Sequence, residues 1–164
     1  MKRWMASLGL SAMLLVGATD VLAKPLAERP LTQESFAHIR ASYAGKPLVV
    51  HLWGMTCGPC MGELPKWGQL RKSRRDMNLV LIQVDQSPTN ARAQTLEAAG
   101  LSSAENWYVA SEFDEFLRAS IDAKWIGDMP RTLLIAPNGD VTTIRGVANL
   151  QVVSQWLDSV ASKR

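Results

Sequence analysis

Both cysteines of this 164-residue chain fall in one short stretch, Cys57-Gly58-Pro59-Cys60. The residues that follow read as a helix, which puts Cys57 at its start. There the unpaired backbone N–H groups and the positive end of the helix dipole favour a thiolate over a thiol. Cys60 lies about one turn further in, near enough for a disulfide and farther from water. Pro59 suits the first turn, where its missing N–H has no intrahelical partner to lose. The chemistry this arrangement supports is thiol–disulfide exchange, with Cys57 attacking and Cys60 resolving. Two other uses of the pair remain open. Soft ligands could hold copper(I) through both cysteines with Met55, Met61 or His51, or the pair could be a purely structural disulfide, which would close a very short loop and add little stability. A closed zinc site needs more ligands than these, and no second ligand pair is present.

Other side chains near the pair in sequence could take part. His51 stands six residues before Cys57 and alternates with Val49 and Trp53 along an apolar run, so it should point to the pair's side of a sheet. An imidazole there could accept the proton of Cys60 near neutral pH, or could be a polar residue satisfied inside the fold. Trp53 and Met55 are expected on the surface round Cys57. Glu63, three residues past Cys60, could tune a cysteine or could be a solvated helix carboxylate. His38, far from the pair in sequence, is expected to be structural or exposed.

These residues need a scaffold, and the chain supplies one in alternating elements. A helix from Thr32, a candidate N-cap, to about Ala44 repeats Phe36, Ile39 and Tyr43 at three- to four-residue spacing and stops at Gly45. Leu48 to Trp53 is a nearly continuous apolar strand, the pattern of a parallel sheet covered on both faces. The helix from Cys57 to about Arg74 follows, with Pro65 inside it expected to cause a kink, and Asn78 to Val84 is a second apolar strand. Strand, crossover helix and strand make a right-handed βαβ unit, whose site lies beyond the carboxyl ends of the strands, where Cys57 falls. Ser87 to Ala99 reads as a helix, Trp107 to Val109 as a short strand and Glu112 to Ser120 as a further helix. Arg131 to Ala136 is then a strand, Pro137-Asn138-Gly139-Asp140 a turn, Val141 to Arg145 its hairpin partner, and Leu150 to Val160 a closing amphipathic helix.

Trp53 to Pro65, with Gly58-Pro59 between the cysteines and Pro65 eight residues after Cys57, resembles the active site of the thioredoxin superfamily. With Glu63-Leu64-Pro65 and an export leader, the chain is similar to the TlpA/ResA-type branch of exported thiol:disulfide oxidoreductases. The resemblance implies a thioredoxin fold, a central mixed sheet flanked by helices, with a TlpA-like insertion between its βαβ and ββα halves. It also implies that Met129-Pro130 is a cis-proline site beside the cysteines, where the backbone of Met129 would pair with an extended segment of a client. It places His51 where thioredoxin has a buried aspartate that helps move the proton of the second cysteine, and Glu63 at the branch's acidic position. Gly58, Pro59 and Glu63 would then tune the pair. Thr56, where a tryptophan is common, and Arg131, where threonine is common, depart from the pattern.

The address is read from the first residues. Lys2-Arg3, an apolar core from about Ala6 to Ala18, and Val21-Leu22-Ala23 make a signal peptide cleaved after Ala23. An uncleaved anchor is the competing reading, but the run is shorter than the ~20 residues that span a bilayer. The expected organisation is therefore a signal peptide over 1–23, a tether over 24–31 and one thioredoxin-like domain over 32–164. At 47% hydrophobic and 20% charged this is an ordinary globular composition, and the net charge of +3 gives no reason to expect nucleic acid binding. Arg71-Lys72-Ser73-Arg74-Arg75 falls at a helix end, where cations complement the dipole; an acidic partner or membrane surface is the other use. No cofactor is expected beyond the Cys57–Cys60 disulfide. The resemblance implies exported clients with thiols or disulfides and a membrane-bound dithiol donor, in the periplasm, with the chain acting as a monomer. The Gly58-Pro59 dipeptide, shared with reducing thioredoxin, and the TlpA-like resemblance imply reduction of clients; an oxidase that installs disulfides would use the same site.

Overall fold

The computed structural model describes residues 28–162, so the leader and its cleavage site lie outside the described residues. The described residues form six strands and five helices, in the order β1 Glu28–Pro30, α1 Ser35–Ser42, β2 Leu48–Trp53, α2 Gly58–Ser73, β3 Leu79–Gln83, α3 Thr89–Ala98, β4 Glu105–Tyr108, α4 Glu115–Ile121, β5 Arg131–Ile135, β6 Val141–Arg145 and α5 Leu150–Ala161. The strands form one mixed sheet in the order β1-β4-β3-β2-β5-β6. β2 is parallel to β3 and antiparallel to β5, which places His51 between Leu81 and Thr132.

β2 is buried along its whole length because both faces of the sheet are covered. Val49 and Trp53 pack with Cys60, Leu64 and Trp67 of α2 and with Val153 and Leu157 of α5. Val50 and Leu52 point the other way, onto Phe36 and Ile39 of α1 and Leu117 and Ile121 of α4. The period-two alternation of one strand thus divides the core in two. α5 enters through Asn149, whose side chain accepts from the N–H groups of Gln151 and Val152.

One stretch differs from the expectations. Part of the segment read as a tether is strand β1, which pairs parallel with β4 at the sheet edge. Pro30 fits there because an edge strand can spare an N–H, and Glu28 is anchored by Arg92, whose Nε lies 2.6 Å from its carboxylate. The basic run lies at the end of α2 as expected, with Lys72 and Arg75 exposed, while Arg71 donates to Ser103 and Arg74 pairs with Asp76 and Asp158. Between β3 and β5 the chain inserts α3, β4 and α4, the extra helix and strand expected of the insertion. Among the described residues, no helix is long and apolar enough to cross a membrane.

Candidate active site

β2 ends at Trp53, the chain turns through Gly54-Met55-Thr56, and Cys57 becomes the N-cap of α2 in extended conformation. Gly58 and Pro59 form the exposed first turn, which leaves Cys57 half-buried and draws Cys60 fully inside. The two are joined by a disulfide, with Cα atoms 5.2 Å apart. The backbone N–H of Cys60 donates to Cys57 Sγ at 3.2 Å, so the outer sulfur sits on an unpaired helix N–H, an arrangement that stabilises negative charge. The Met129–Pro130 peptide is cis. Pro130 is buried and Met129 half-buried, and Met129 packs against the same core cluster as Cys57.

His51 is completely buried, with Nδ1 3.0 Å from the Thr132 hydroxyl and its ring 4.9 Å from that of Trp67. Its Nε2 has no partner. Burial pushes its pKa down to about 3, so the ring is neutral across the physiological range. Burial thus weakens the ring as a base; proton acceptor for Cys60 and polar residue held inside the fold were both open readings of His51, and its bond to Thr132 accords with the second. Glu63 is also buried, against the solvated-carboxylate reading. Its Oε1 accepts from the Ala148 N–H at 2.9 Å, while Oε2 has no partner. Burial raises its pKa, against the opposing effects of the Ala148 N–H, the Trp67 indole and Lys66. Glu63 lies one turn after Cys60 on the same helix face.

Trp53 is only 1% exposed. It is core, not client surface, because it ends the central strand beneath α2. Met55, half-buried, is what the turn presents instead. His38 is exposed.

Of two polar groups beside the site, Asp85 had no sequence signal of its own and Arg131 only that of a departure from the family pattern. Asp85, just past β3, accepts from Thr56 N and Thr56 Oγ1 at 2.7 and 2.8 Å. Arg131, the first residue of β5, is buried, pairs with Asp122 and Asp128, and lies over the Trp125 ring. Trp125 in turn donates from Nε1 to the Asp128 carbonyl. Arg131 thereby holds the 122–129 loop that leads to Met129 from beneath. The signal that could have found both is positional: a charged residue at either end of a buried strand, Asp85 after β3 and Arg131 at the start of β5, is costly unless it is paired or hydrogen-bonded. Among the described residues, no group of three or more His, Cys, Asp or Glu is placed to hold a metal ion.

No family model matches the chain. Two curated thiol-disulfide oxidoreductases named ResA are similar to it. That of Geobacillus thermodenitrificans (strain NG80-2) is 27% identical over 130 residues, 77% of this chain and 70% of the relative. That of Geobacillus kaustophilus (strain HTA426) is 26% identical over 125 residues, 75% and 68%. Among solved structures, a secreted Mycobacterium tuberculosis disulfide oxidoreductase homologous to Escherichia coli DsbE superposes with a TM-score of 0.59 at 20% identity, covering 73% of this chain and 85% of that one. A thiol:disulfide interchange protein of the thioredoxin family from Chlorobium tepidum TLS gives 0.59 at 22%, covering 74% and 83%. The strand order and these superpositions show the thioredoxin fold.

Proposed function

We propose that this chain, a ResA-like thiol-disulfide oxidoreductase of the thioredoxin superfamily, is exported and reduces disulfides of client proteins outside the cytoplasm. The observation that carries the chemistry is the asymmetry of the pair: Cys57 is partly exposed with its Sγ on a helix N–H, and Cys60 is buried behind it.

In the reduced protein the Cys57 thiolate attacks one sulfur of the client disulfide. A Cys57–client disulfide forms, and the other client sulfur leaves as a thiolate. Cys60, deprotonated, then attacks Cys57 Sγ; the enzyme disulfide forms and the second client thiolate departs. The enzyme pair loses two electrons and two protons, and the client gains both. Glu63, buried one turn after Cys60 on the same face of α2 and with its pKa raised by burial, is the acceptor we assign to the Cys60 proton, whereas burial lowers the pKa of His51. His51 acts as a neutral polar partner of Thr132 behind the pair. The backbone at Met129, held by Pro130, pairs with the extended segment that flanks the client disulfide. A membrane-bound dithiol donor restores the reduced pair, and the leader over 1–23 supports the location.

The reduction potential of the pair tests the direction. A value near roughly −270 mV, that of thioredoxin, or lower is expected; one near roughly −120 mV, that of a strong oxidant, would instead make the protein a disulfide donor. Cys60→Ala should accumulate mixed disulfides on Cys57 with exported proteins. If no such adducts form while the pair still cycles with small thiols, protein clients are the wrong substrate class.

A further inference from the structure

The turn that delivers Cys57 is wrapped round one carboxylate. Asp85 Oδ2 receives both the backbone N–H and the hydroxyl of Thr56, and Oδ1 receives the Gln83 amide at 2.8 Å. Gln83 is fully buried and fixed in its turn: the same amide nitrogen donates to Ser87 Oγ at 2.8 Å, and its carbonyl faces Arg92 Nη1 at 3.4 Å. The turn also passes so close that a Cβ on Gly54 would stand 2.9 Å from Oδ2. Nothing larger than glycine fits beside the carboxylate as it stands.

The donors around Asp85 are all neutral. Among the described residues Asp85 forms no ion pair, whereas Asp128 across the site carries both Arg131 and Arg145. The nearest cation along the network, Arg92, spends its charge on Glu28. The other titratable groups on the elements round the pair are His51 on β2, which is neutral, Glu63 and Lys66 on α2, Arg71 and Lys72 in the last turn of α2 with Arg71 on Ser103, Arg131 on β5, paired with Asp122 and Asp128, and Asp158 on α5, paired with Arg74. Burial works against the Asp85 charge more than any other single influence. The Thr56 N–H, the Met55 N–H, the Gln83 amide and the Thr56 hydroxyl together outweigh it and hold the pKa below the usual carboxylate range. The carboxylate therefore stays charged wherever a thiol titrates.

We propose that Asp85 is a positioning residue that fixes the turn into Cys57 and sets an uncompensated negative charge beside it, opposing the Cys57 thiolate and biasing the pair toward reducing power. The oxygen that bonds Thr56 N at 2.7 Å is tied to the residue next to Cys57, which sets the two charges at roughly one Debye length from each other (~8 Å at physiological ionic strength). A like charge at that range disfavours ionisation. The less stable the thiolate, the more the disulfide is favoured over the dithiol and the lower the potential. The inference rests on the exchange chemistry proposed above and deepens its direction.

The test compares fully reduced wild type with Asp85→Asn, following the pH dependence of alkylation at Cys57. Removing the charge should lower the thiol pKa and raise the thiolate fraction roughly three- to tenfold at a pH below the pKa. Above that pKa, where the thiolate is populated, the potential should rise by about 14 to 30 mV for the same factor. Thr56→Val keeps the charge and removes one donor, so it should leave the thiol pKa where it is. An unchanged pKa in Asp85→Asn, or an equal shift in Thr56→Val, overturns the proposal, since either leaves only a packing role. If Asp85→Asn does not fold, Asp85→Ser, also uncharged and shorter, must show the same shift. The wild-type potential alone decides the reductase reading, whereas the difference between variants decides this one.

Discussion

His51 and Glu63 are buried within the same half of the core and titrate in opposite senses. For His51 the folded pKa is depressed to about 3 from about 6.5. Its neutral form therefore contributes stability that is present above about pH 6.5 and is lost as pH falls toward 3, at no more than about 1.4 kcal/mol per pH unit. For Glu63 the folded pKa is raised by burial. Its contribution is fully present below the ordinary carboxylate range and is lost as pH rises through the folded value. Glu63→Gln removes the second effect. Urea denaturation across pH 3 to 8 should show a steeper loss on acidification in that variant than in wild type, and a shallower one in His51→Gln. Identical slopes in all three proteins would mean that neither group is held as its surroundings imply.

At the scale of elements, the position of α2 decides the geometry of the cysteines, and one residue sets how closely it can sit. A Cβ on Gly68 would come 1.7 Å from the carbonyl oxygen of Ala99, the C-cap of α3. That oxygen belongs to backbone and cannot rotate away. Gly68→Ala should therefore cost roughly 1–3 kcal/mol by overpacking, against the small gain in helix propensity expected at an exposed site. The denaturation midpoint checks the size of the effect. Gly62→Ala, where the added Cβ meets nothing within 4 Å, is the control that should be neutral or stabilising.

On the scale of the whole molecule, a polar network joins the active-site turn to the sheet edge. It runs from Thr56 through Asp85, Gln83 and Arg92 to Glu28 of β1. Arg92 is 3% exposed and its guanidinium lies 4.2 Å from the Tyr108 ring centroid. Removing one partner of such a buried pair leaves the other charge uncompensated, at a typical cost of about 3–5 kcal/mol. Glu28→Gln should destabilise the domain by that order. It should also speed amide exchange first at Leu31, whose N–H bonds to the Tyr108 carbonyl across the β1–β4 edge. If Leu31 keeps its protection in the variant, β1 is held by its backbone pairing and not by the ion pair.

Local pattern carried much of this protein. The cysteine spacing, the unbroken apolar run of β2, the Pro137–Asp140 turn and the amphipathic spacing of α5 each depend on neighbours in sequence, and each element lies where its pattern places it. The edge strand β1 was illegible because two charged residues and a proline have no apolar alternation, and their partners are some 78 residues away in β4. The environments of the site residues were decided by tertiary structure alone. Burial depends on what other elements lay over a side chain, which is why Trp53 is core, His51 a weak base and Glu63 a buried acid, although their types and spacing were plain from the start. Asp85 and Arg131 acquire their places only when the carboxyl end of one strand meets the loop of another, a coincidence in space that spacing along a chain cannot encode.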